Sequence, residues 1–350
     1  MPDTPKHRIC HINLATGFRG GERQTELLIR ELAARGWQQR LVARKGDKLA
    51  ARCRAIDRLQ IAEVLPNPLL AAIAARRTSL VHAHEARAVY SAWLLKRLRR
   101  TPYILTRRIE HATRDTRLRA NAYRAADRVV AISQSIARTI EAHYPEMRCP
   151  IVPSAHADMA HGRAGLTDFR PDLEGKTVIG HLGELDHSHK GQRTIIEAAR
   201  QFQESRPELH FMLLGTGKDE TEFRRAAEGL DNIEFVGFVD NVADYLARFD
   251  LFVFPSLHEG LGSSLLDALC FGLPIVATRV GGIPELVEHE VNGLLIAPEQ
   301  PGELVAAVQR LSGDAQLRAS MSRNNREKAT RYTAARMATS YESIYREILS

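Results

Sequence analysis

Short apolar runs alternate with amphipathic stretches along the whole of this 350-residue chain, and this alternation limits the folds that it can adopt. In the first half the apolar runs cover residues 8–14, 39–43, 80–83, 103–106 and 128–132. Helical periodicity covers residues 24–35, 69–77, 88–99 and 118–126. Buried strands that alternate with helices predict a parallel sheet with helices on both faces.

The same alternation restarts after residue 170. Its predicted strands are 177–182, 210–214, 233–236, 251–254, 275–277 and 293–296, and its predicted helices are 192–204, 220–228, 242–248, 264–271 and 303–311. The intervening residues 150–173 have no clear period and contain several glycines and prolines, which is typical of a linker. We therefore predict an α/β chain of two doubly wound, Rossmann-like domains, 1–165 and 166–332, and a helix with one apolar stripe in 333–350.

Charge divides the chain at the same place. Residues 1–150 hold 29 basic and 13 acidic residues, whereas residues 151–300 hold 12 and 24. The net charge of +7 therefore conceals a basic first half and an acidic second half. Such asymmetry suggests two surfaces with different partners.

The cysteines and the longest apolar runs indicate a compartment. Four separated cysteines with no CxxC pair argue against a disulfide framework and a thiolate zinc site, and they fit a reducing cytosol. No apolar run approaches the roughly 18 residues that a spanning helix needs. No secretory signal is visible before the first strand. A cytoplasmic location is the expectation.

The segment 254–274 places two carboxylates around a predicted helix start. Glu259 lies in the loop after a buried strand, Ser263 and Ser264 follow, and Asp267 lies in the first turns of the helix. Free N–H groups at a helix N-terminus suit an anion, and carboxylates suit sugar hydroxyls beside it. The alternative is that the serines cap the helix and both acids are solvated.

Two further loops follow strands. Gly183 begins a loop that ends in Lys190-Gly191, and a lysine at a helix N-terminus opposes the helix dipole unless an anion is bound. Gly20 and Gly21 follow the first strand, where glycines allow a ligand to approach the backbone closely. A surface lysine and a simple tight turn are the alternatives for these loops.

Together these loops resemble the retaining family-4 glycosyltransferases of GT-B fold, also called glycosyl transferases group 1. The resemblance is strongest over residues 176–297 and rests on Gly20-Gly21, Lys190-Gly191, the acidic pair Glu259 and Asp267, and the turns 281–285 and 292–295. It implies an acceptor domain followed by a nucleotide-sugar donor domain, with the last helix crossing back to the first. A bacterial lipopolysaccharide-core or other cell-envelope enzyme is the form that the basic first half favours.

The resemblance also implies roles for single residues in the second domain. Lys190 would hold the donor diphosphate and Glu259 would position the transferred sugar, which makes them the catalytic pair. Asp267 would bind the ribose, and Phe238 after Gly237 would lie against the nucleobase. The remaining donor-binding positions are Gly183, Gly215, Gly260, Leu261, Gly262, Ser263, Ser264 and Leu265.

In the first domain, the implied acceptor or cleft positions are Gly20, Gly21, His84, Arg107, Arg108 and His111. Three places depart from the family pattern. Asp267 stands where glutamate is usual, and Glu184 stands where an arginine often follows the glycine. Two arginines stand where a histidine often follows the strand, and His111 comes three residues later.

The implied chemistry is sugar transfer with retention of the anomeric configuration. Lys190 and backbone N–H groups of residues 262–265 would stabilise the negative charge on the leaving phosphate, so no metal is expected. The nucleotide sugar is a co-substrate and no cofactor is expected; a UDP-sugar comes first, although the residues alone leave UDP, GDP and ADP open. A sugar-nucleotide epimerase or phosphorylase of the same fold, or a non-catalytic nucleotide-sugar or nucleic-acid binder, are the alternatives.

Histidines raise the question of a metal centre. His82 and His84 end a buried strand, and Asp186, His187 and His189 cluster in the second half. No third and fourth ligand accompanies the first pair at a usable spacing, so we expect no metal site.

The basic first half has three interpretations: solvated helix faces, a nucleic-acid surface, or a surface for anionic lipid and an anionic acceptor. Sparse aromatic residues and the lack of a recognition motif argue against nucleic acid. About 1 kcal/mol per basic residue near anionic lipid favours a peripheral contact with the inner face of the membrane and an anionic glycan or glycolipid acceptor. Residues 93–95 beside Lys96 and Arg97 predict an amphipathic contact, although Leu94 and Leu95 are equally explained as core.

Overall fold

The computed structural model describes residues 7–110, 116–157 and 170–350. These residues divide into unit 1, Met1–Ala155 with Thr333–Ser350, and unit 2, His156–Tyr332. The division falls after Ala155, whereas the predicted boundary after residue 165 lies outside the described residues. Each unit is built around one parallel sheet.

Six parallel strands form the sheet of unit 1: β1 (Arg8–Asn13), β2 (Gln38–Arg44), β3 (Leu59–Val64), β4 (Leu80–Ala83), β5 (Tyr103–Arg107) and β6 (Arg128–Ala131). Their order is β3-β2-β1-β4-β5-β6. The connecting helices are α1 (Gly20–Ala34), α2 (Lys48–Cys53), α3 (Pro68–Ala75), α4 (Ala88–Arg99), α5 (Arg117–Arg124) and α6 (Gln134–His143). Right-handed crossovers place α1 and α2 on one face of this sheet and α3, α4 and α5 on the other.

Six parallel strands also form the sheet of unit 2: β7 (Thr177–Leu182), β8 (Leu209–Leu214), β9 (Ile233–Gly237), β10 (Leu251–Phe254), β11 (Ile275–Thr278) and β12 (Gly293–Ile296). Their order is β12-β11-β10-β7-β8-β9. The helices are α7 (His187–Lys190), α8 (Gln192–Phe202), α9 (Glu220–Ala226), α10 (Val242–Arg248), α11 (Ser263–Phe271), α12 (Ile283–Leu286), α13 (Pro301–Gly313) and α14 (Ala315–Ala329). The predicted α/β architecture of two doubly wound, Rossmann-like domains is confirmed.

The sequence pattern did not predict β3 or α14, and both elements bury little apolar surface. None of the residues of β3 is fully buried, because it is an edge strand, so it lacks the apolar run of a central parallel strand. Helix α14 is mostly polar and buries only Met321, Asn325 and Ala329. Such a helix gives a weak amphipathic signal.

The last helix, α15 (Ala334–Leu349), belongs to unit 1. Tyr341 and Tyr345 are buried in the core of that unit. The Tyr345 hydroxyl lies 2.6 Å from Nδ1 of His82, and the Tyr341 hydroxyl lies 2.8 Å from Oγ1 of Thr106. The apolar stripe of this helix therefore docks on the sheet of unit 1 and adds polar links to it.

The cysteines and the lengths of the helices bear on disulfides and on membrane spans. All four cysteines are free thiols. Within the described ranges, no helix combines the length and the apolarity that crossing a bilayer requires.

Candidate active site

Two loops of unit 2 are joined at the carboxyl edge of its sheet. One follows β7 and contains α7, and the other follows β10 and leads into α11. The carbonyl of His189 accepts the N–H of Leu257 at 2.8 Å. Gly191 has a φ of +65°, and a Cβ on it would lie 2.0 Å from the carbonyl oxygen of Pro255. Only glycine allows the loops to approach this closely.

The joined loops bring Lys190 and Glu259 together. Lys190 Nζ donates to Glu259 Oε2 at 2.5 Å and lies 5.2 Å from the centre of the Phe254 ring. The two side chains are only 22% and 15% exposed. The residues predicted to form the catalytic pair therefore share one half-buried contact of opposite charges.

Lys190 does not begin a helix, which corrects the interpretation from the sequence. It is the last residue of α7, and Gly191 separates α7 from α8. A lysine at a helix C-terminus is favourable for the dipole, so the dipole alone does not call for an anion here. The partner that balances Lys190 is the carboxylate of Glu259.

Helix α11 begins without a side-chain cap. Gly262, with a φ of +95°, is its N-cap, so the interpretation that Ser263 and Ser264 cap it is wrong. Both serines are partly exposed, whereas Gly262 and Leu265 are buried. The N–H of Leu265 donates to the Gly262 carbonyl at 3.1 Å, so this predicted phosphate donor is already engaged. Gly260 and Leu261 are buried and support the turn.

The two acidic residues of this loop and helix differ in their surroundings. Asp267 is fully buried, and its Oδ1 accepts the N–H of Ala157 at 3.0 Å. Glu259 keeps an exposed edge beside Lys190. The interpretation that both acids are solvated is therefore wrong. A ribose hydroxyl would have to share the Asp267 carboxylate with the backbone.

Glycines shape the neighbouring strand ends at the same edge. A Cβ on Gly215 would lie 2.0 Å from the carbonyl oxygen of Gly183. The N–H of Gly215 donates to the carbonyl of Gly237 at 2.8 Å. The ring of Phe238, directly after β9, is 54% exposed. This edge thus presents an aromatic ring beside a backbone that carries no bulky side chains.

His181 lies buried under the Lys190 loop. Its Nδ1 lies 3.0 Å from the Val253 carbonyl, to which it donates, and a Cβ on Gly183 would lie 3.2 Å from its Nε2. Burial, reinforced by the charge of Lys190, lowers the pKa of His181 to about 4. The imidazole is therefore neutral at pH 7 and does not repel the lysine.

The predicted acceptor positions lie at the carboxyl edge of the sheet of unit 1. Gly20 and Gly21 are the first residues of α1, which begins four residues earlier than periodicity predicts. A Cβ on Gly21 would lie 3.6 Å from Cδ of Arg108. Arg108 Nη1 donates to Ser154 Oγ at 3.4 Å, while its buried Nε and Nη2 have no partner among the residues with described positions. Burial lowers the pKa of this guanidinium.

The other predicted acceptor positions have different surroundings. Arg107 ends β5, is only 8% exposed and donates to the Tyr123 hydroxyl at 3.4 Å. His84 directly follows β4 and is buried. His111 lies outside the described residues.

His84 belongs to a buried group of three histidines with His11 and His82. One nitrogen of each lies within 4.8 Å of the others. The expectation that no third ligand accompanies His82 and His84 is therefore wrong. The third histidine could be found only from the strand register, because β1 and β4 are neighbours and His11 is paired with His82 across them.

Most nitrogens of this group are used by the protein. His11 Nδ1 lies 2.9 Å from His84 Nε2, and His11 Nε2 lies 3.0 Å from the amide oxygen of Gln39. His82 contacts the hydroxyls of Thr106 and Tyr345 at 2.7 and 2.6 Å. A metal ion would have to break these bonds, so the group is better described as a hydrogen-bonded core network.

These histidines make the stability of the protein sensitive to acid. Burial lowers the pKa of both His11 and His181 to about 4. Because the unfolded histidines still titrate near 6.5, unfolding takes up protons below that pH, and stability falls between pH 6.5 and about 4. At pH 5 we expect a loss of about 2 kcal/mol for each of them relative to pH 7.

Urea unfolding at pH 7 and pH 5 measures this loss. In His181→Asn the pH-dependent loss should shrink by the share of one histidine. The exposed His7 provides the control, because His7→Asn should leave the loss unchanged. Equal pH dependence in all three proteins would contradict the assignment.

Two protein-family models match the chain. Glycosyltransferase Family 4 matches residues 18–155, and Glycosyl transferases group 1 matches residues 176–314. The first match lies in unit 1 and the second in unit 2.

Individual relatives and a solved structure agree with these models. The 2-deoxystreptamine glucosyltransferase of Streptomyces kanamyceticus is 33% identical over 146 residues, which are 40% of this chain and 38% of that protein. The 2-deoxystreptamine N-acetyl-D-glucosaminyltransferase of Streptomyces fradiae is 30% identical over 269 residues, which are 68% and 63% of the two chains. The matched part of the chain thus spans less than two thirds of each relative. The crystal structure of Anabaena Alr3699/HepE in complex with UDP and glucose superposes with a TM-score of 0.84 over 97% of this chain and 99% of that one, at 19% identity.

Because the sequence identity to this crystal structure is only 19%, the structural likeness shows a shared fold and no more. The family models cover most of both units independently of that fold. The chain belongs to the family-4 glycosyltransferases of GT-B fold.

Proposed function

We propose that this glycosyltransferase moves a sugar from a nucleoside-diphosphate sugar to an anionic acceptor, with retention of configuration and without a metal or cofactor. The observation that carries the proposal is the half-buried contact between Lys190 and Glu259 at 2.5 Å, beside the uncapped start of α11. A cation, a carboxylate and a helix N-terminus at one point match the charges of a sugar diphosphate.

Donor binding would exchange the partners of this ion pair. The diphosphate would take over the Lys190 ammonium, since it carries more negative charge than a single carboxylate. Glu259 would then be free to accept hydrogen bonds from the hydroxyls of the transferred sugar. The N–H groups at the first turn of α11 would face the phosphates, with the exception of the engaged Leu265 N–H.

The transfer itself needs a charge-stabilised leaving group more than a protein nucleophile. The bond between the anomeric carbon and the phosphate oxygen breaks, and the acceptor hydroxyl forms the new bond on the same face. Bond formation on the face from which the phosphate departs retains the configuration, and the proton of the acceptor hydroxyl passes to the departing phosphate oxygen. Lys190 stabilises the charge that develops on that oxygen, and Glu259 holds the sugar in place.

Phe238 and the glycines at the ends of β8 and β9 suit a nucleobase. An exposed ring offers a stacking surface, and a backbone without side chains lets a flat base approach. UDP is the favoured nucleotide, because the Anabaena relative was crystallised with UDP and glucose.

Stacking would make Phe238 a contributor to donor affinity, with a testable effect. We expect Phe238→Ala to raise the KM for the donor about tenfold or more with little change in kcat, because stacking of a base on an aromatic ring is worth about 1–3 kcal/mol. Val291→Ala, at another exposed apolar residue of unit 2, is the control and should leave KM unchanged. An unchanged KM in Phe238→Ala would place the base elsewhere.

The proposed acceptor is an anionic glycan or glycolipid, such as a lipopolysaccharide core or another cell-envelope glycan. Its support is the excess of basic residues in the first half and the two unsatisfied buried donors of Arg108 within the described part of unit 1. A buried cation with unused donors is costly unless an anion completes it. We extend the proposal to a cytoplasmic enzyme in peripheral contact with the inner face of the membrane, without nucleic acid as a partner.

A donor panel tests this function. The purified protein is incubated with UDP-, GDP- and ADP-sugars, and release of the nucleoside diphosphate is measured with and without EDTA. We expect slow hydrolysis of one UDP-sugar, unaffected by EDTA, that accelerates with the acceptor and yields a product of retained configuration. Conversion of the donor to an isomer would indicate an epimerase, phosphate-dependent release a phosphorylase, and binding without turnover a non-catalytic protein.

A further inference from the structure

Helix α3 exposes its large apolar side chains to solvent, whereas a helix of a protein core buries them. Leu69, Leu70 and Ile73 are between 41% and 55% exposed, and Leu65 just before the helix is 62% exposed. The buried residues of α3 are three alanines, Ala71, Ala72 and Ala75. The helix is nonetheless well defined, because the Asn67 side chain caps it and proline follows. Its exposed apolar face is therefore a built feature of unit 1.

The helices around this face carry charge of one sign. Helix α3 packs against α4, and α4 packs against α5. None of these three helices contains an aspartate or a glutamate, whereas α4 and α5 contain six lysines and arginines. Arg76 and Arg77 follow α3 directly, and Leu98 at the end of α4 is 71% exposed. We call the surface of α3, α4 and α5, together with Arg76, Arg77 and Arg100 at the helix ends, the basic face.

Most of this positive charge is not neutralised by the protein. Lys96 pairs with Asp127 and Arg124 pairs with Glu146. Six arginines of the basic face have no hydrogen-bond or ion-pair partner for their side chains within residues 7–110, 116–157 and 170–350: Arg76, Arg77, Arg97, Arg99, Arg100 and Arg117.

The opposite face of the same sheet differs. There Arg30 and Arg52 both pair with Glu26, and Arg35 and Arg346 both pair with Glu342. Solvated arginine faces of a soluble protein commonly show such mixed pairs. The excess charge of the first half is therefore concentrated on one face, next to the exposed leucines of α3.

We propose that the basic face is the surface by which the protein lies on an anionic lipid bilayer. The leucines of α3 would enter the boundary between head groups and acyl chains, and the unpaired arginines would bind lipid phosphates around them. This deepens the peripheral location proposed above, because it names the surface, and it does not depend on the donor or the acceptor. Of the contact predicted at residues 93–95, Leu95 is buried, whereas Trp93 and Leu94 are partly exposed.

Charge and shape together favour lipid over the other occupants. A nucleic acid would use the arginines but has no place for the five exposed aliphatic side chains Leu65, Leu69, Leu70, Ile73 and Leu98. A second copy of this chain would bring another basic face against the first, and like charges in contact are unfavourable. Anionic lipid satisfies both the apolar and the charged part of the surface.

Vesicle sedimentation of the full chain tests the proposal. The probes are vesicles of phosphatidylglycerol with phosphatidylcholine, and of phosphatidylcholine alone, at 25 and 300 mM salt. We expect binding to the anionic vesicles at low salt, strong weakening at high salt and weak binding to the neutral ones. Arg76→Gln with Arg77→Gln should weaken binding about 30-fold, because each basic residue near anionic lipid contributes about fivefold.

A second double variant tests the apolar residues of the surface, and the apolar and the charged residues each have a control variant. Leu69→Ser with Leu70→Ser should weaken binding at least about tenfold, because two exposed leucines lose their burial in the lipid. Val291→Ser and Arg323→Gln, exposed positions of unit 2, should bind like the unaltered protein. Donor hydrolysis by all variants should remain unchanged, which also shows that they are folded.

Several outcomes would overturn the proposal, and they separate it from the proposed location. Vesicle binding that persists in both double variants would mean peripheral contact through another surface. No binding to anionic vesicles at low salt would remove the peripheral location as well. A dimer in light scattering that Leu69→Ser with Leu70→Ser dissociates, or tighter binding to an oligonucleotide than to the vesicles, would assign the surface to a second copy or to nucleic acid.

Discussion

Glu259→Gln lowers kcat about 100-fold or more, and this is one of the two largest effects that we expect. Glutamine keeps the size of the side chain but removes its charge, so it no longer orients the sugar hydroxyls as a carboxylate does. Loss of one positioning or charge-stabilising group commonly reduces turnover by a factor of this size. The donor KM should change much less, because the diphosphate binds through Lys190 and the start of α11.

The measurement is kcat and KM for the donor identified in the panel. Glu290→Gln is the matched control, because Glu290 forms an exposed ion pair with Arg310 elsewhere in unit 2. The control should retain full activity. Unchanged turnover in Glu259→Gln would remove Glu259 from the site.

The contact between Lys190 and Glu259 also predicts how the two substitutions combine. Lys190→Gln should lower kcat by a similar factor, because the leaving phosphate loses its cation. The double variant should fall by less than the product of the two single effects, since the residues act as one unit. Fully multiplicative effects would mean that the two side chains act independently in the reaction.

The sequence predicts the sheets and the chemistry of the donor loops for physical reasons. Central parallel strands are buried on both faces and therefore stand out as apolar runs, as Leu251–Phe254 does. Lys190 and Glu259 stand out because they are charged side chains in the glycine-containing loops that come after such runs. The two loops meet because parallel strands bring their carboxyl ends to one edge of the sheet.

Other features depend on contacts between distant residues and leave little local signal. The histidine network needs the register of β1 against β4 before His11 can join His82 and His84. The sequence does not show which face of α3 is exposed to solvent, because an all-apolar helix has no polar face. That face is known only from the burial of its alanines. The same limit applies to Lys190. The four residues of α7 are too few to show a periodic pattern, so the sequence places Lys190 at the start of a helix, whereas it lies at the end of one.

Gly191→Ala tests the joined loops and is the second large effect that we expect. Alanine at a φ of +65° is strained, and its Cβ would lie 2.0 Å from the Pro255 carbonyl oxygen, where no flexible side chain can move aside. The loops must therefore separate, which carries Lys190 away from Glu259. We expect kcat to fall about 100-fold or more, because a displacement of about 1 Å at a reacting group already has effects of this order.

Gly229→Ala separates the two causes of that loss. Gly229 has a φ of +79°, and nothing lies within 4 Å of the Cβ that alanine would add, so only the backbone strain is shared with Gly191→Ala. Strain of this kind amounts to about 1–3 kcal/mol. Both variants should thus unfold at lower urea concentration, but Gly229→Ala should keep its turnover. If Gly191→Ala lost only stability and kept full activity, the contact between the loops would not be what holds Lys190 against Glu259.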